Sequence, residues 1–265
     1  MNRQDYLQKN FELSMDLRET ERQIAGLYNR KKQILEEMDA IQEQMVEDAR
    51  NGTLYKEDEE HGDSCVDFGR SGSGKSTSLR NFEQGEVLVF NVANKPFPFR
   101  KKLDMVPNAG YRAIYEEFRN PRYLRYVVDD SQYLLSFELF AKAKETGYQK
   151  FTDMALHFYN MLKLVTDSMP ENVIVYFLHH TETVDGRIKA KTIGKMLDEK
   201  LTLEGLFSIV LLTQSDGMKH RFITKSDGFT TAKSPMEMFP DDIENDLKEV
   251  DRIIREYYGL QGGQA

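Results

Sequence analysis

Tryptophan is absent from this sequence, cysteine occurs once, at Cys65, and histidine only five times among 265 residues. A lone cysteine excludes an internal disulfide framework, and so few histidines make a structural zinc site a poor expectation. A reducing, intracellular setting follows as the expected one. Positive charge is not in excess either: 44 Asp and Glu stand against 36 Lys and Arg, for a formal net charge of -8. A chain of that sign repels nucleic acid as a whole, so any contact with DNA or RNA must come from a local patch. No segment approaches the roughly 20 apolar residues that span a bilayer, and the opening M-N-R-Q-D-Y-L-Q-K-N has no apolar run. The expected protein is soluble, with no membrane partner.

Proline is missing from residues 3–48, which contain one glycine, Gly26, and many Glu, Gln, Arg, Lys, Leu, Ile and Met. That composition predicts a long helix. Asn10, Leu17, Ile24, Lys31, Met38 and Met45 recur every seven residues, and Leu13, Thr20, Leu27, Ile34 and Ile41 fill the alternate seam. Two readings follow: a helical hairpin or weak coiled coil that joins subunits or docks a partner, or a single amphipathic helix lying on its own domain. Gly26 marks a possible bend. The expected organisation is an N-terminal helical segment over 1–50, a polar, turn-rich linker over 51–62, an α/β domain over 63–258 and a frayed tail over 259–265.

Past the linker, short apolar strands alternate with helical stretches. The strands are C-V-D-F, V-L-V-F-N-V, Y-V-V-D-D, V-I-V-Y-F-L, S-I-V-L-L-T and H-R-F-I-T. Helices are expected from Lys75, over 110–118, 148–167 and 193–200, and finally over 241–258. This rhythm predicts a mostly parallel sheet covered on both faces.

The sharpest motif is G-R-S-G-S-G-K-S-T, which matches G-x-x-x-x-G-K-[ST] through Gly69, Gly74, Lys75 and Ser76. A chance match is expected about once per hundred chains of this size, and here a strand precedes the loop and a helix-compatible stretch follows. The glycines, Gly72 included, let the backbone of Arg70 to Lys75 wrap closely, so that the N–H groups of Ser71, Ser73 and their neighbours point at a β-phosphate. Lys75 is expected to bridge the β- and γ-phosphates, Ser76 to ligate magnesium and Thr77 to help hold the α-phosphate. ATP and Mg²⁺ are thus the expected ligands. R-Y-V-V-D-D-S delivers Asp129 and Asp130 to a strand's C-terminal end, where ligands gather in open α/β sheets. Asp129 is assigned to the magnesium and Asp130 to orienting or deprotonating the attacking water, with the reverse order left open.

V-I-V-Y-F-L ends in His179-His180-Thr181-Glu182. His179 is the first choice for a group that senses the γ-phosphate, with His180 and Glu182 behind it; adjacent strand residues face opposite ways, so at most one histidine reaches a nucleotide. Next comes a basic stretch with Arg187, Lys189, Lys191 and Lys195, bent at Gly186 and Gly194. It is either a flexible loop for the backbone of single-stranded DNA, or a solvated charged hairpin or subunit contact. Farther on, Arg221, Lys225 and Lys233 lie in an expected hairpin whose cation enters a neighbouring subunit's site, Lys225 first and Lys233 second.

With these motifs in place, the chain resembles the phage-encoded RecA-like ATPases of the P-loop superfamily that are associated with single-strand annealing. The resemblance runs from about residue 63 to 250. It rests on the phosphate loop, Y-V-V-D-D-S, the histidine closing the fourth strand with D-G-R-I-K-A-K-T-I-G-K-M-L, S-I-V-L-L-T, and T-K-S-D-G-F-T-T-A-K-S-P-M-E-M-F-P. It implies a RecA-like core that hydrolyses ATP and binds single-stranded DNA beside an annealing or replication protein in phage recombination, as a homo-oligomer in the host cytoplasm. Lys75, Ser76 and Thr77 correspond to the family's phosphate and magnesium residues, Asp129 to its strand-end carboxylate and His179 to its sensor place. One departure matters. Such recombinases place a catalytic glutamate after the second strand, and F-N-V-A-N-K-P-F-P-F-R-K-K-L has no acid before Asp104; Glu116 and Glu117 come later. Two other functions compete: a packaging or helicase-loader ATPase driven by a protein partner, and a nucleotide-controlled scaffold whose N-terminal helices bind a protein.

Overall fold

The computed structural model describes residues 3–50, 64–194, 197 and 201–260. The chain divides into two compact units, Met1–Asp58 and Glu59–Ala265. The first contains helix α1, Arg3–Arg50, continuous through Gly26. The hairpin reading is thereby corrected: one glycine costs a helix about 1 kcal/mol, too little to break a run this long of good helix formers. Leu13, Leu17, Ile24 and Leu27 of the heptad seam are exposed. The linker over 51–62 lies outside the described residues, as do Lys195 and most of the helix expected over 193–200.

The second unit is an α/β domain on a nine-stranded, mostly parallel mixed sheet. Its strands are β1 (Ser64–Gly69), β2 (Leu88–Asn91), β3 (Asp104–Pro107), β4 (Arg125–Asp129), β5 (Ile174–Val184), β6 (Arg187–Ala190), β7 (Ile209–Ser215), β8 (His220–Ile223) and β9 (Asp242–Glu244). The order across the sheet is β3-β2-β4-β5-β1-β7-β8-β9, with β6 paired to the outer part of β5. All pairings from β3 to β7 are parallel, whereas β8, β9 and β6 join antiparallel. The central strands are apolar on both faces because both faces are covered. Val66, Phe68, Val128 and Phe177 meet α2 (Tyr111–Phe118), α3 (Gln132–Ala141) and α4 (Gln149–Ser168). Cys65, Val127, Tyr176 and Leu211 face the 3₁₀ turn Ser76–Asn81 and α5 (Leu247–Tyr258).

Helix α5 starts later than its composition suggests. Asp246 caps it by accepting from the backbone N–H of Lys248 and Glu249, and Gly259, at φ 67°, ends it in the left-handed region. Residues 242–244, read in sequence as helix, pair with β8 instead. Buried Leu247, Val250 and Ile254 give α5 its apolar stripe. Its Asp251 accepts from Arg125 Nε at 2.5 Å, Tyr176 Oη at 2.8 Å and Arg255 Nε at 2.9 Å. This clamp closes the edge where the strands begin and leaves the opposite, C-terminal edge to chemistry.

Candidate functional site

Gly69 ends β1 in the middle of the sheet, and there the chain turns away. A side chain at Gly69 would collide with Ser73 Oγ, and one at Gly74, where φ is +109°, would meet the His220 ring at 2.7 Å. Close wrapping therefore requires both glycines. His220 Nδ1 donates to the Ser73 carbonyl at 2.5 Å, fixing the loop from β8. The helix expected from Lys75 is only a 3₁₀ turn over Ser76–Asn81. Ser76, Thr77 and Ser78 are weak helix formers, and Ser78 Oγ bonds back to the Lys75 carbonyl at 2.6 Å.

Lys75 is buried and curls over its own loop, its Nζ donating to the carbonyls of Gly69 at 2.8 Å and Arg70 at 3.1 Å. Burial lowers its pKa, while Asp67, Asp130 and Asp129 pull the other way. The Ser76 hydroxyl donates to Asp129 at 2.9 Å, joining the end of β1 to the end of β4 across the intervening β5. Burial and the neighbouring Asp130 raise the Asp129 carboxyl to about 6. A hydroxyl and a carboxylate side by side form a hard oxygen pair that suits Mg²⁺, which takes one or two carboxylates and completes its shell with water and phosphate. Among the described residues no cluster of three or more His, Cys, Asp or Glu offers a cage for a metal by itself.

Asp130 is held differently. Its backbone lies at φ 60°, an uncommon place for a residue with a side chain. Its carboxylate accepts from Lys95 Nζ at 2.7 Å and His180 Nε2 at 2.9 Å. Burial alone would raise its pKa, but these two bonds hold it down to about 2. A carboxylate so acidic is a weak base, and of the two roles expected for Asp130 its paired state is the better match to orienting a water than to deprotonating one.

The two histidines divide as strand alternation requires, with the opposite assignment from that expected. His179 turns into the interior between Phe68 and Phe158, donates from Nε2 to the Lys191 carbonyl at 2.9 Å and accepts from Ser131 Oγ at 2.9 Å. Burial lowers its pKa to about 3, so it is neutral. His179 thus ties the strand end to the following hairpin, and His180 faces the carboxylate site. Glu182 lies farther out, paired with Lys189 at 3.3 Å.

The basic stretch is not a loose loop. Thr181–Val184 and Arg187–Ala190 form an antiparallel hairpin around Asp185 and Gly186, whose positive φ values supply the tight turn. Arg187 and Lys191 are exposed. Arg70, in the glycine-rich loop, donates to Thr183 Oγ1 at 3.1 Å and links loop to hairpin. Lys225 is exposed and paired with Asp241 at 2.9 Å, and Lys233 is exposed where its backbone bridges Val210. Glu116 pairs with Arg112, and Glu117 with Arg122 and the Tyr126 hydroxyl; Asp104 pairs with Tyr123 and Gln84. All three acids belong to those local networks and none stands at the strand ends with Asp129.

Three residues not singled out from sequence complete the site. Lys95 follows β2 at the edge where Asp129 ends β4. Asp67, buried in β1, accepts from Thr213 Oγ1 at 2.5 Å, while its Oδ2 has no hydrogen-bond partner among the described residues; burial raises its pKa to about 7. Arg80 donates to the Asn245 carbonyl and to Glu244 at 3.0 Å, in the wall of a cavity of about 750 Å³. Thr77, Lys219, His220 and Asp242 also line that cavity, on the β8–β9 side of the loop. A lysine just past a strand's C-terminal end and an acid inside an apolar strand were the available signals.

No protein-family model matches this chain, and comparison with curated proteins finds no relative.

Proposed function

We propose that this protein is a P-loop ATPase with a RecA-like core, which binds Mg²⁺-ATP at the C-terminal edge of its sheet and works in phage-type DNA recombination or replication on single-stranded DNA. The observation that carries the nucleotide reading is the Ser76 hydroxyl 2.9 Å from Asp129, placed by a glycine-wrapped loop that also buries Lys75. In this reading Lys75 leaves the carbonyls of Gly69 and Arg70 for the β- and γ-phosphates, and Ser76 with Asp129 holds the magnesium, which neutralises charge on the phosphates. The cavity beside Thr77 takes the base and ribose. Asp130 orients Lys95 and His180 around the reacting end.

The DNA reading rests on the basic hairpin and on the sequence resemblance. The partner-driven alternative, a packaging or loader ATPase, gains from the pairing of Lys189 with Glu182, which spends part of the hairpin's charge within the chain. Phosphate release from ATP with magnesium, with and without single-stranded DNA, tests both. Turnover that Lys75→Ala reduces at least about a hundredfold supports the ATPase. Equal phosphate release by Lys75→Ala rejects it. Stimulation by DNA favours the recombination role, and indifference to DNA moves the assignment to a protein-driven motor.

A further inference from the structure

Lys95 is built into the site more firmly than a surface ion pair requires. Asn91, buried at the end of β2, accepts from the Lys95 N–H at 3.1 Å and donates to the Lys95 carbonyl at 2.6 Å. Asn94, at φ 52°, turns the chain just before it, and Pro96 restricts its backbone from the other side. Asn91 is in register with Asp129 on the adjacent strand, so this clamp fixes the foot of Lys95 at the same sheet edge. The side chain stays half exposed and reaches Asp130 at 2.7 Å, with the Tyr133 ring 5.0 Å from its ammonium. Its charge is felt by both Lys75 and Asp129.

We infer that Lys95 is a second cationic pole for the phosphate site, a ligand of the terminal phosphoryl group of a nucleoside triphosphate, which Asp130 holds in place until that group arrives. The inference rests on the nucleotide reading above and deepens it. Lys75 approaches the phosphates from the loop, whereas Lys95 approaches from β2, beyond the Ser76–Asp129 pair. A terminal phosphate oxygen competes with Asp130 for the ammonium, and Asp130 keeps its bond to His180 when it loses Lys95. The site then separates triphosphate from diphosphate, because the third phosphate alone reaches Lys95. A charge supplied from within the chain also assists the reaction by charge stabilisation.

The test is calorimetric binding of Mg²⁺-ATP and Mg²⁺-ADP to the full chain, with Lys75→Ala, Lys95→Met and Lys95→Arg beside the wild type. Lys95→Met is expected to weaken ATP about tenfold or more while ADP stays within about twofold, and Lys95→Arg to recover most of the loss. Melting temperatures close to wild type are expected, since the lysine is half exposed. Equal losses for ATP and ADP, or no loss for either, would overturn the role of Lys95. If Lys75→Ala weakens both nucleotides in that case, the nucleotide site survives and only the inference falls. Wild-type protein that binds neither nucleotide removes both.

Discussion

At Asp67, one carboxylate stands in the sheet beneath the glycine-rich loop, bonded by Thr213 and with one oxygen that has no hydrogen-bond partner among the described residues. Its folded pKa is raised, to about 7 from 3.8, so the native state binds the proton more tightly than the unfolded chain. Stability from this group is full below about pH 4 and falls as pH rises toward 7. Asp129, raised to about 6, acts in the same direction but has largely titrated by then, so the interval from pH 6 to 8 reports mainly on Asp67. Asp67→Asn keeps the acceptor for Thr213 and removes the buried charge. The variant is expected to gain most at pH 8 and progressively less toward pH 4, a difference on the order of a few kcal/mol. Thermal unfolding across pH measures this, and a variant whose melting curve keeps the wild-type pH slope would contradict it. Part of the gain is offset because Lys75 loses a neighbouring negative charge. Such a residue is hard to read from sequence: Asp67 sits in C-V-D-F, where strand alternation says which face it takes but not that both faces are closed. The histidine pair has the same lesson. Alternation required that only one reach the site, and only the packing of His179 between Phe68 and Phe158 decides which.

At the level of elements, the central strands were legible because parallel strands buried on both faces are short apolar runs, and those that end in polar residues announce the working edge. β3 and β9 were not legible, since D-M-V-P and D-I-E are short edge strands with exposed and half-buried residues alternating and none buried. Helix α3 reads in sequence as a partly apolar connection for another reason: Q-Y-L-L-S-F-E-L-F-A has no side-chain cap and spreads apolar residues around its circumference, leaving Phe137 and Phe140 exposed. The hairpin β5–β6 turns a sequence-level choice into a sharper experiment. Arg187 and Lys191 are exposed, while Lys189 leans on Glu182, so the first two are the better phosphate contacts. The double variant Arg187→Ala, Lys191→Ala is expected to weaken single-stranded DNA binding and to reduce the slope of log affinity against log salt by about one to two. Unchanged affinity and slope in a salt titration would remove the hairpin from the DNA-binding surface.

For the whole molecule, the question is whether one chain suffices. The two candidate sources of extra positive charge differ in this respect: Lys95 is already at its own chain's carboxylates, whereas Lys225 is paired with Asp241 on the surface and is the cation expected to enter a neighbouring subunit's site. Helix α1 bears on the same point, because exposed Leu13, Leu17, Ile24 and Leu27 repeat at the spacing of a helix–helix seam and belong to a unit separate from the α/β domain. If α1 joins copies through that seam, a chain without residues 1–58 keeps its sheet and loses mass in solution. Light scattering is expected to show a smaller particle with an unchanged melting transition for Glu59–Ala265. Precipitation of that fragment would instead mark α1 as a cover for its apolar surface. Turnover per chain, followed across protein concentration in the same fragment, then separates the two lysines. A rate independent of concentration, lowered by Lys95→Met and untouched by Lys225→Ala, is the expected result. A rate that climbs with concentration and collapses in Lys225→Ala would place the decisive charge on the neighbouring subunit and make hydrolysis a property of the assembly.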